Sequence, residues 1–363
     1  MSSPAPFASA QNEWPPWWLR IAYRLAWNLK FRLCVQQVHA ILTAAAHIQF
    51  PANKGTEPKT MFLELFGVLE VASRRHEEFH ATADDTKLEL FMFIALIAVS
   101  QPLIFAVTGR LCAWAMPQQH GAWAALPWWA MMAILLVGDD LTQYLWHRAS
   151  HTPLLWPLHR AHHTAHYMSI RVTYRNNFFY YLMMPGLWIA GVLVYLGLGN
   201  AYLVYVILKL TVIMGAHSAV PWDRPLYRVR ALRPLAWLLE RTISTPATHQ
   251  AHNALTNDDG VGHYKGNFGN MLFVWDLLLR TAKITRRYPP RVGLVDDLLF
   301  GKERWFVEMF FPLLQSKRRH SALVWGGKAY VEGDASDAAA RETSLFPEPR
   351  ATRQPAVLPD IAF

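Results

Sequence analysis

The sequence predicts an all-α integral-membrane protein: four transmembrane helices beneath a cytosolic helical cap that holds a histidine-rich di-metal site. Three observations carry that expectation. Of 363 residues, 53% are apolar and only 17% charged, against ~25% charged in soluble domains. Four segments are long and apolar enough to span a bilayer. Sixteen histidines are present, and ten of them fall between His147 and His263. No segment shows the apolar alternation of a sheet.

The composition also excludes classes. Lysine and arginine outnumber the acids 35 to 26, but the basic residues form no single stripe, so no nucleic-acid partner is expected. The two cysteines, Cys34 and Cys112, lie far apart and suit neither a disulfide framework nor a thiolate metal site. A reducing compartment is compatible with them.

Residues 1–88 form an N-terminal amphipathic, cytosolic region. Its first thirteen residues are small and polar, lack the marks of a signal peptide and read as a disordered tail. Residues 14–50 alternate apolar and basic positions at helical spacing. That pattern suits an amphipathic helix on a membrane surface or an ordinary packed helix.

Residues 89–283 form the membrane-embedded region. Leu90–Gly109 is the first span, with Pro102 expected to kink it. Ala122–Gly138 is the second and runs into Asp139 and Asp140. Phe178–Gly199 is the third, and Ala201–Ala216, with Lys209, is the fourth. The last two meet at a reversal too short for anything but a hairpin. Nine basic residues precede span one, one lies between spans one and two, four lie in 139–177, and none lies at the hairpin turn. The positive-inside bias therefore predicts a multi-pass protein with both termini and both histidine-rich segments cytoplasmic. Residues 284–320 read as C-terminal cap helices, with helical stretches expected at 226–242, 270–282 and 303–315. Residues 321–363 read as a poorly ordered tail.

Four places carry the chemistry. His147 and His151 stand one helical turn apart and face the same way; Asp140 and Tyr144 extend that stripe. His159, His162 and His163 follow at spacings of three and four. His217 stands alone at the cytoplasmic end of span four. His249 and His252 repeat the second pattern, with Asn253 in place of its last histidine. Neutral imidazole is the commonest ligand for first-row metals. Eight imidazoles and an amide oxygen exceed one ion's needs and suit two. Zinc sites of structural type favour thiolates, so two irons with open positions for dioxygen fit best. Asp140 is placed to orient a ligand imidazole through its N–H. Arg148, Arg160 and Arg175 are candidates to hold an anionic headgroup or to face anionic lipid.

Other histidines read differently. His76-Glu-Glu-Phe-His80 has ligand spacing but no third ligand, and reads as a charged, solvated helix face. His39, His47, His120 and His320 have no partner at ligand spacing. His166 is expected to lie behind the ligands, and His263 is a ligand or a turn residue in a glycine-rich loop. Single histidines in facing spans, as a haem would need, are not the pattern. A zinc hydrolase would need a carboxylate base, and the four motifs contain none.

At these residues the sequence resembles the fatty acid hydroxylase / sterol desaturase superfamily of integral-membrane di-iron enzymes. The resemblance rests on DDLTQYLWHRASH, LWPLHRAHH, the Arg175 that follows, TPATHQAHN and GNFGNMLFVWDLLLRTAK, and covers about Val137–Lys283. Asn267, Phe268, Gly269, Trp275 and Asp276 match the family's closing loop and Trp-Asp pair. The resemblance implies hydroxylation or desaturation of a membrane lipid by dioxygen at two irons, with electrons from a donor protein. Two departures stand out: Asn253 replaces a histidine, and Leu279-Arg280 replaces a Phe-Gly. The first leaves an alternative, a lapsed member retained as a lipid-binding or scaffold protein.

Overall fold

The computed structural model describes residues 66–67, 69–70, 72–73, 75, 81–318 and 321–324. The N-terminal amphipathic segment 14–50 and the HEEFH stretch at 76–80 lie outside the described residues, as does most of the C-terminal tail.

Helix α1 spans Ala83–Ala115. Thr82 starts it with a capping box: its hydroxyl accepts from the Asp85 N–H, and the Asp85 side chain accepts from the Thr82 N–H, satisfying two otherwise orphaned donors. A π-helical turn at Leu96–Ser100 precedes Pro102. Such a turn absorbs the hydrogen bond that the proline ring removes, so Pro102 is tolerated within the helix. Phe91, Ile94, Val99, Leu103, Leu111 and Trp114 are exposed along it, an apolar surface suited to lipid. Leu90–Gly109, the expected first span, lies inside this helix.

Helix α2 runs through 128–150, with a π-helical turn at Leu136–Leu141. It begins six residues after the expected start of the second span. Residues ahead of Pro127 turn back instead: Gly121 and Trp123 donate their N–H groups to the carbonyls of Tyr195 and Leu196. Short helices α3 (Trp156–His163), α4 (Phe178–Met183) and α5 (Pro185–Leu193) follow, and a π turn leads into α6 (Gly199–His217).

Among the described residues, two stretches are long and apolar enough to cross a membrane, Ala83–Ala115 and Pro185–His217, where four were expected. The second is not one straight helix. Gly197, at φ +114, breaks it. In a straight helix Gly186 and Lys209 would be ~35 Å apart. Yet Lys209 Nζ lies 2.6 Å from Asp139 Oδ2, and a Cβ built on Gly186 would lie 2.6 Å from Asp139 Oδ1. The chain therefore folds back on itself, which is the hairpin expected of the third and fourth spans. Only glycine fits at its tip: besides the positive φ, a Cβ on Gly197 would meet the Ala124 nitrogen at 2.7 Å.

Phe105, Leu135, Leu193, Leu198, Tyr202 and Tyr205 form the apolar core among α1, α2 and the hairpin. A second cluster of Leu88, Met92, Leu158, Tyr180 and Met309 joins α1 to α3, α4 and the C-terminal arm. That arm is more broken than expected. The 226–242 stretch divides into α7 (Arg224–Arg228), a 3-10 turn and α8 (Arg233–Thr242). Pro225 and Pro234 sit in the first turns of α7 and α8, where a missing N–H is harmless. Then come α9 (Pro246–His252), α10 (Val274–Leu278), α11 (Val295–Phe300) and α12 (Trp305–Phe310). The described residues contain no strand, only two isolated bridges. Ala322 and Leu323, placed by the sequence in the poorly ordered tail, are buried, and Leu323 packs on Val307 and Phe311.

Candidate metal centre

All eight predicted histidines converge, in two groups. His147, His151, His159, His163 and His252 bring five ring nitrogens within 4.8 Å of one another. His162, His217 and His249 do the same with three. Each group draws on several helices, and α3 and α9 serve both: α2 supplies His147 and, at its end, His151; α3 supplies His159, His162 and His163; α6 ends on His217; α9 supplies His249 and His252.

The hydrogen bonds behind the rings decide which way the nitrogens face. His147 Nδ1 lies 2.7 Å from the Phe268 carbonyl, His252 Nδ1 2.7 Å from the Gly266 carbonyl, and His217 Nδ1 2.7 Å from the Ile213 carbonyl. A carbonyl only accepts, so each Nδ1 carries the proton and each Nε2 presents a lone pair. His159 Nδ1 is held likewise by Asn176 Oδ1 at 2.8 Å. The Nε2 atoms then crowd together: His252 on His147 at 3.1 Å, His163 on His159 at 3.2 Å, His249 on His217 at 2.9 Å and His217 on His162 at 3.4 Å. In addition His151 Nε2, His162 Nδ1 and His249 Nδ1 are buried without a partner. Burial holds His159, His162, His163, His249 and His252 well below the ordinary imidazole pKa, the neighbouring rings adding to the effect. They are neutral at pH 7. Facing lone pairs on neutral, buried rings repel unless a cation lies between them, so the donor set fits two metal ions.

One loop braces this arrangement. Asp276 accepts from the N–H groups of Phe268 and Gly269 and from the Thr281 hydroxyl. Asn267, at φ +55, donates its amide to the Thr248 and Lys283 carbonyls and accepts the Lys283 N–H. The carbonyls of Gly266 and Phe268 are thereby aimed at His252 and His147. The histidine pattern does not reveal Asn176, Asp276 or these carbonyls. The signal for the carbonyls is the glycine-bearing GNFGN stretch, since a backbone acceptor has no residue type of its own; for Asp276 it is the Trp-Asp pair, while Asn176 has none.

The predicted supporting residues act differently from expectation. Asp140 orients no imidazole: it accepts from Trp275 Nε1 at 2.8 Å and the Leu272 N–H at 3.3 Å, tying α2 to the closing loop. Tyr144 bonds Thr281 through its hydroxyl and sets its ring edge-on to Phe268. Arg175 is buried and pairs with Asp85 at 2.8 Å, while donating to the Ala161 carbonyl and the Thr164 hydroxyl of the α3 segment. Arg160 is buried among Asp296, Asp297 and Glu308. Neither guanidinium is free for a headgroup; both clamp the histidine-bearing α3 between α1 and the C-terminal arm. Arg148 is exposed. His263 donates to the Thr281 carbonyl and lies outside both groups, as does His166, whose ring lies against Gly293. Asn253 is buried at the end of α9, its amide donating to the His249 carbonyl at 3.1 Å.

A cavity opens beside both groups. His147, His159, His162 and His217 line it together with Leu96, Met184, Leu187, Val206, Leu210 and Ile213. Residues 132–281 match the family model described as fatty acid hydroxylase. No solved structure matches the chain.

Proposed function

We propose, for a chain whose residues 132–281 form a domain of the fatty acid hydroxylase family, that it is a multi-pass membrane oxygenase with a di-iron centre. It hydroxylates or desaturates a lipid with dioxygen, taking electrons from a separate donor protein. His147, His151, His159, His163 and His252 hold one iron; His162, His217 and His249, with Asn253, hold the other. The observation that carries the reading is the convergence of eight imidazoles, seven of them buried, four of which have tautomers fixed by acceptors behind the ring that turn their lone pairs toward the other rings. The same convergence favours a working centre over a lapsed, lipid-binding or scaffold protein.

Iron bound there would supply activation of dioxygen and removal of hydrogen from an unactivated C–H bond. The chain's own residues bind, orient and exclude. Carbonyls of Phe268, Gly266 and Ile213 fix the tautomers. Burial of seven of the eight rings keeps bulk water from the centre. The cavity between α1, α2, α5 and α6, whose lining includes Leu96, Met184, Leu187, Val206, Leu210 and Ile213, receives a hydrocarbon chain from the bilayer. His147 near the end of α2 and His217 at the end of α6 are consistent with four crossings that deliver the centre to one face, the cytoplasmic one by charge.

Anaerobic purification followed by metal analysis tests the reading: about two irons per chain are expected. Lipid mass spectrometry of cells with and without the gene should show an oxygen-dependent product. A haem absorption band, or active protein without metal, overturns it.

A further inference from the structure

The cavity beside the imidazoles is not uniformly apolar, and several of its polar atoms are unpaired. Gln101 and Gln143 both line it, and each has a buried amide oxygen without a hydrogen-bond partner. The buried Thr173 hydroxyl lines it in the same condition. Gln101 lies near the middle of the apolar Ala83–Ala115 stretch. Gln143 stands on α2, four residues before His147 and four after Asp139, on the face that carries both.

Lys209 and Asp139 line the cavity too, paired at 2.6 Å. Lys209 precedes His217 by eight residues on α6, as Asp139 precedes His147 on α2. The pair therefore sits ~12 Å along each helix from those imidazoles. Ionisable groups within membrane helices are expensive and mark substrate paths more often than plain packing. This pair satisfies its own charge, but the two buried amide oxygens have no hydrogen-bond partner. An unmade hydrogen bond in such a setting is costly, and a pocket shaped for plain hydrocarbon would present carbon at these positions.

We infer that the cavity takes a lipid bearing a hydroxyl group remote from the carbon that is oxidised. A hydroxyl both donates and accepts. It can donate to the amide oxygen of Gln143 or Gln101 and accept from the ammonium of Lys209, whose pairing with Asp139 uses only one of three N–H groups. The chain then runs from that node past His147 and His217; Gln143 lies one turn before His147 and Lys209 eight residues before His217, so the oxidised carbon lies ~6–12 Å from the hydroxyl. This deepens the oxygenase reading and rests on it for the role of the imidazoles.

The test uses the metal-loaded protein in phosphatidylcholine nanodiscs, with 1-octadecanol and octadecane as probes and native mass spectrometry as the readout. Wild type should retain the alcohol about tenfold over the alkane. Gln143→Leu and Gln101→Leu should each shrink that preference, with helix content and iron content as controls. Equal retention, retention of neither probe, or an unchanged preference in both variants overturns the inference. Should the variants fail to fold, the wild-type comparison decides alone. Iron content and oxygen-dependent lipid oxidation are measured in the same preparation. Iron and oxidation without an alcohol preference sink the hydroxyl site and leave the oxygenase standing; an alcohol preference without iron does the reverse.

Discussion

His147 and His252 meet Nε2 to Nε2 at 3.1 Å, while each donates its Nδ1–H to a backbone carbonyl 2.7 Å away. Neither ring then has a proton for the other. The contact is a pair of lone pairs held face to face by two helices and one loop, and a cation is what such a pair accommodates.

The division into five and three yields the first prediction. His163→Ala removes a ligand from the larger group and His249→Ala one from the smaller. Each should lower iron from about two per chain toward about one and abolish lipid oxidation, while the protein stays in the membrane. Metal analysis of both purified variants checks this. Wild-type turnover by either would contradict the assignment.

Adjacent residues of one motif go to different histidine groups, and this is where the sequence stops being legible. His162 and His163 are neighbours, but on α3 they point ~100° apart. His163 shares a face with His159, four residues earlier, and His162 turns to His217 and His249 instead. His249 and His252 part in the same way. Spacing shows that these residues gather; only the placement of four helices shows how they divide. The supporting residues were harder to read. Asp140 and Arg175 are seven and twelve residues from the nearest predicted ligands in sequence, yet their partners are Trp275 and Asp85, 135 and 90 positions away. The hairpin was legible because a four-residue turn between two apolar runs has few solutions. The late start of α2 was not, because it depends on carbonyls of Tyr195 and Leu196.

Asp276 touches no imidazole, but it fixes the loop that does. Asp276→Ala would orphan the Phe268 and Gly269 N–H groups, at ~1–3 kcal/mol each. The Phe268 carbonyl would then drift from His147. Iron affinity of the five-histidine group should fall ~10–100-fold, as for other residues that orient ligands, while the three-histidine group keeps its iron. Metal titration of the variant reads the difference. Loss of both irons together would indicate collapse of the cap rather than local loosening.

Glu308 provides a pH dependence away from the metal. It shares Arg160 with Asp296 and Asp297. Burial, opposed by Arg160 and reinforced by Asp297, raises its pKa from the usual carboxylate value to about 7. A carboxyl whose folded pKa is raised holds its proton in the folded state between about pH 4.5 and 7, where the unfolded chain has released it. Stability from this group is therefore present at low pH and lost as pH rises through that window, on the order of 3 kcal/mol in all. Glu308→Gln should flatten the thermal-unfolding profile between pH 5 and 8. An equally steep decline in the variant would assign it to other groups.

Asn253 decides whether the smaller group is complete. It follows His249 by one turn at the end of α9 and is buried, with its amide N–H given to the His249 carbonyl. That bond ties Asn253 to the backbone of His249, a member of the three-histidine group. The three-histidine group has two fewer imidazoles than its neighbour and has more need of an oxygen ligand, direct or through water, which ferrous iron accepts. Asn253→Leu keeps the volume but removes both the oxygen and the bond to His249. It should lower occupancy of one iron site and leave the other filled, and lipid oxidation should fall more steeply than total iron if both ions serve one reaction. Asn253→His should retain iron, since an imidazole at that position is what the family pattern carries. Unchanged iron and oxidation in Asn253→Leu would show that Asn253 is no ligand and that eight histidines serve both ions. A wild-type protein that lacks the second iron and oxidises nothing, but gains both with Asn253→His, would establish instead that this chain has lapsed from catalysis at this one position.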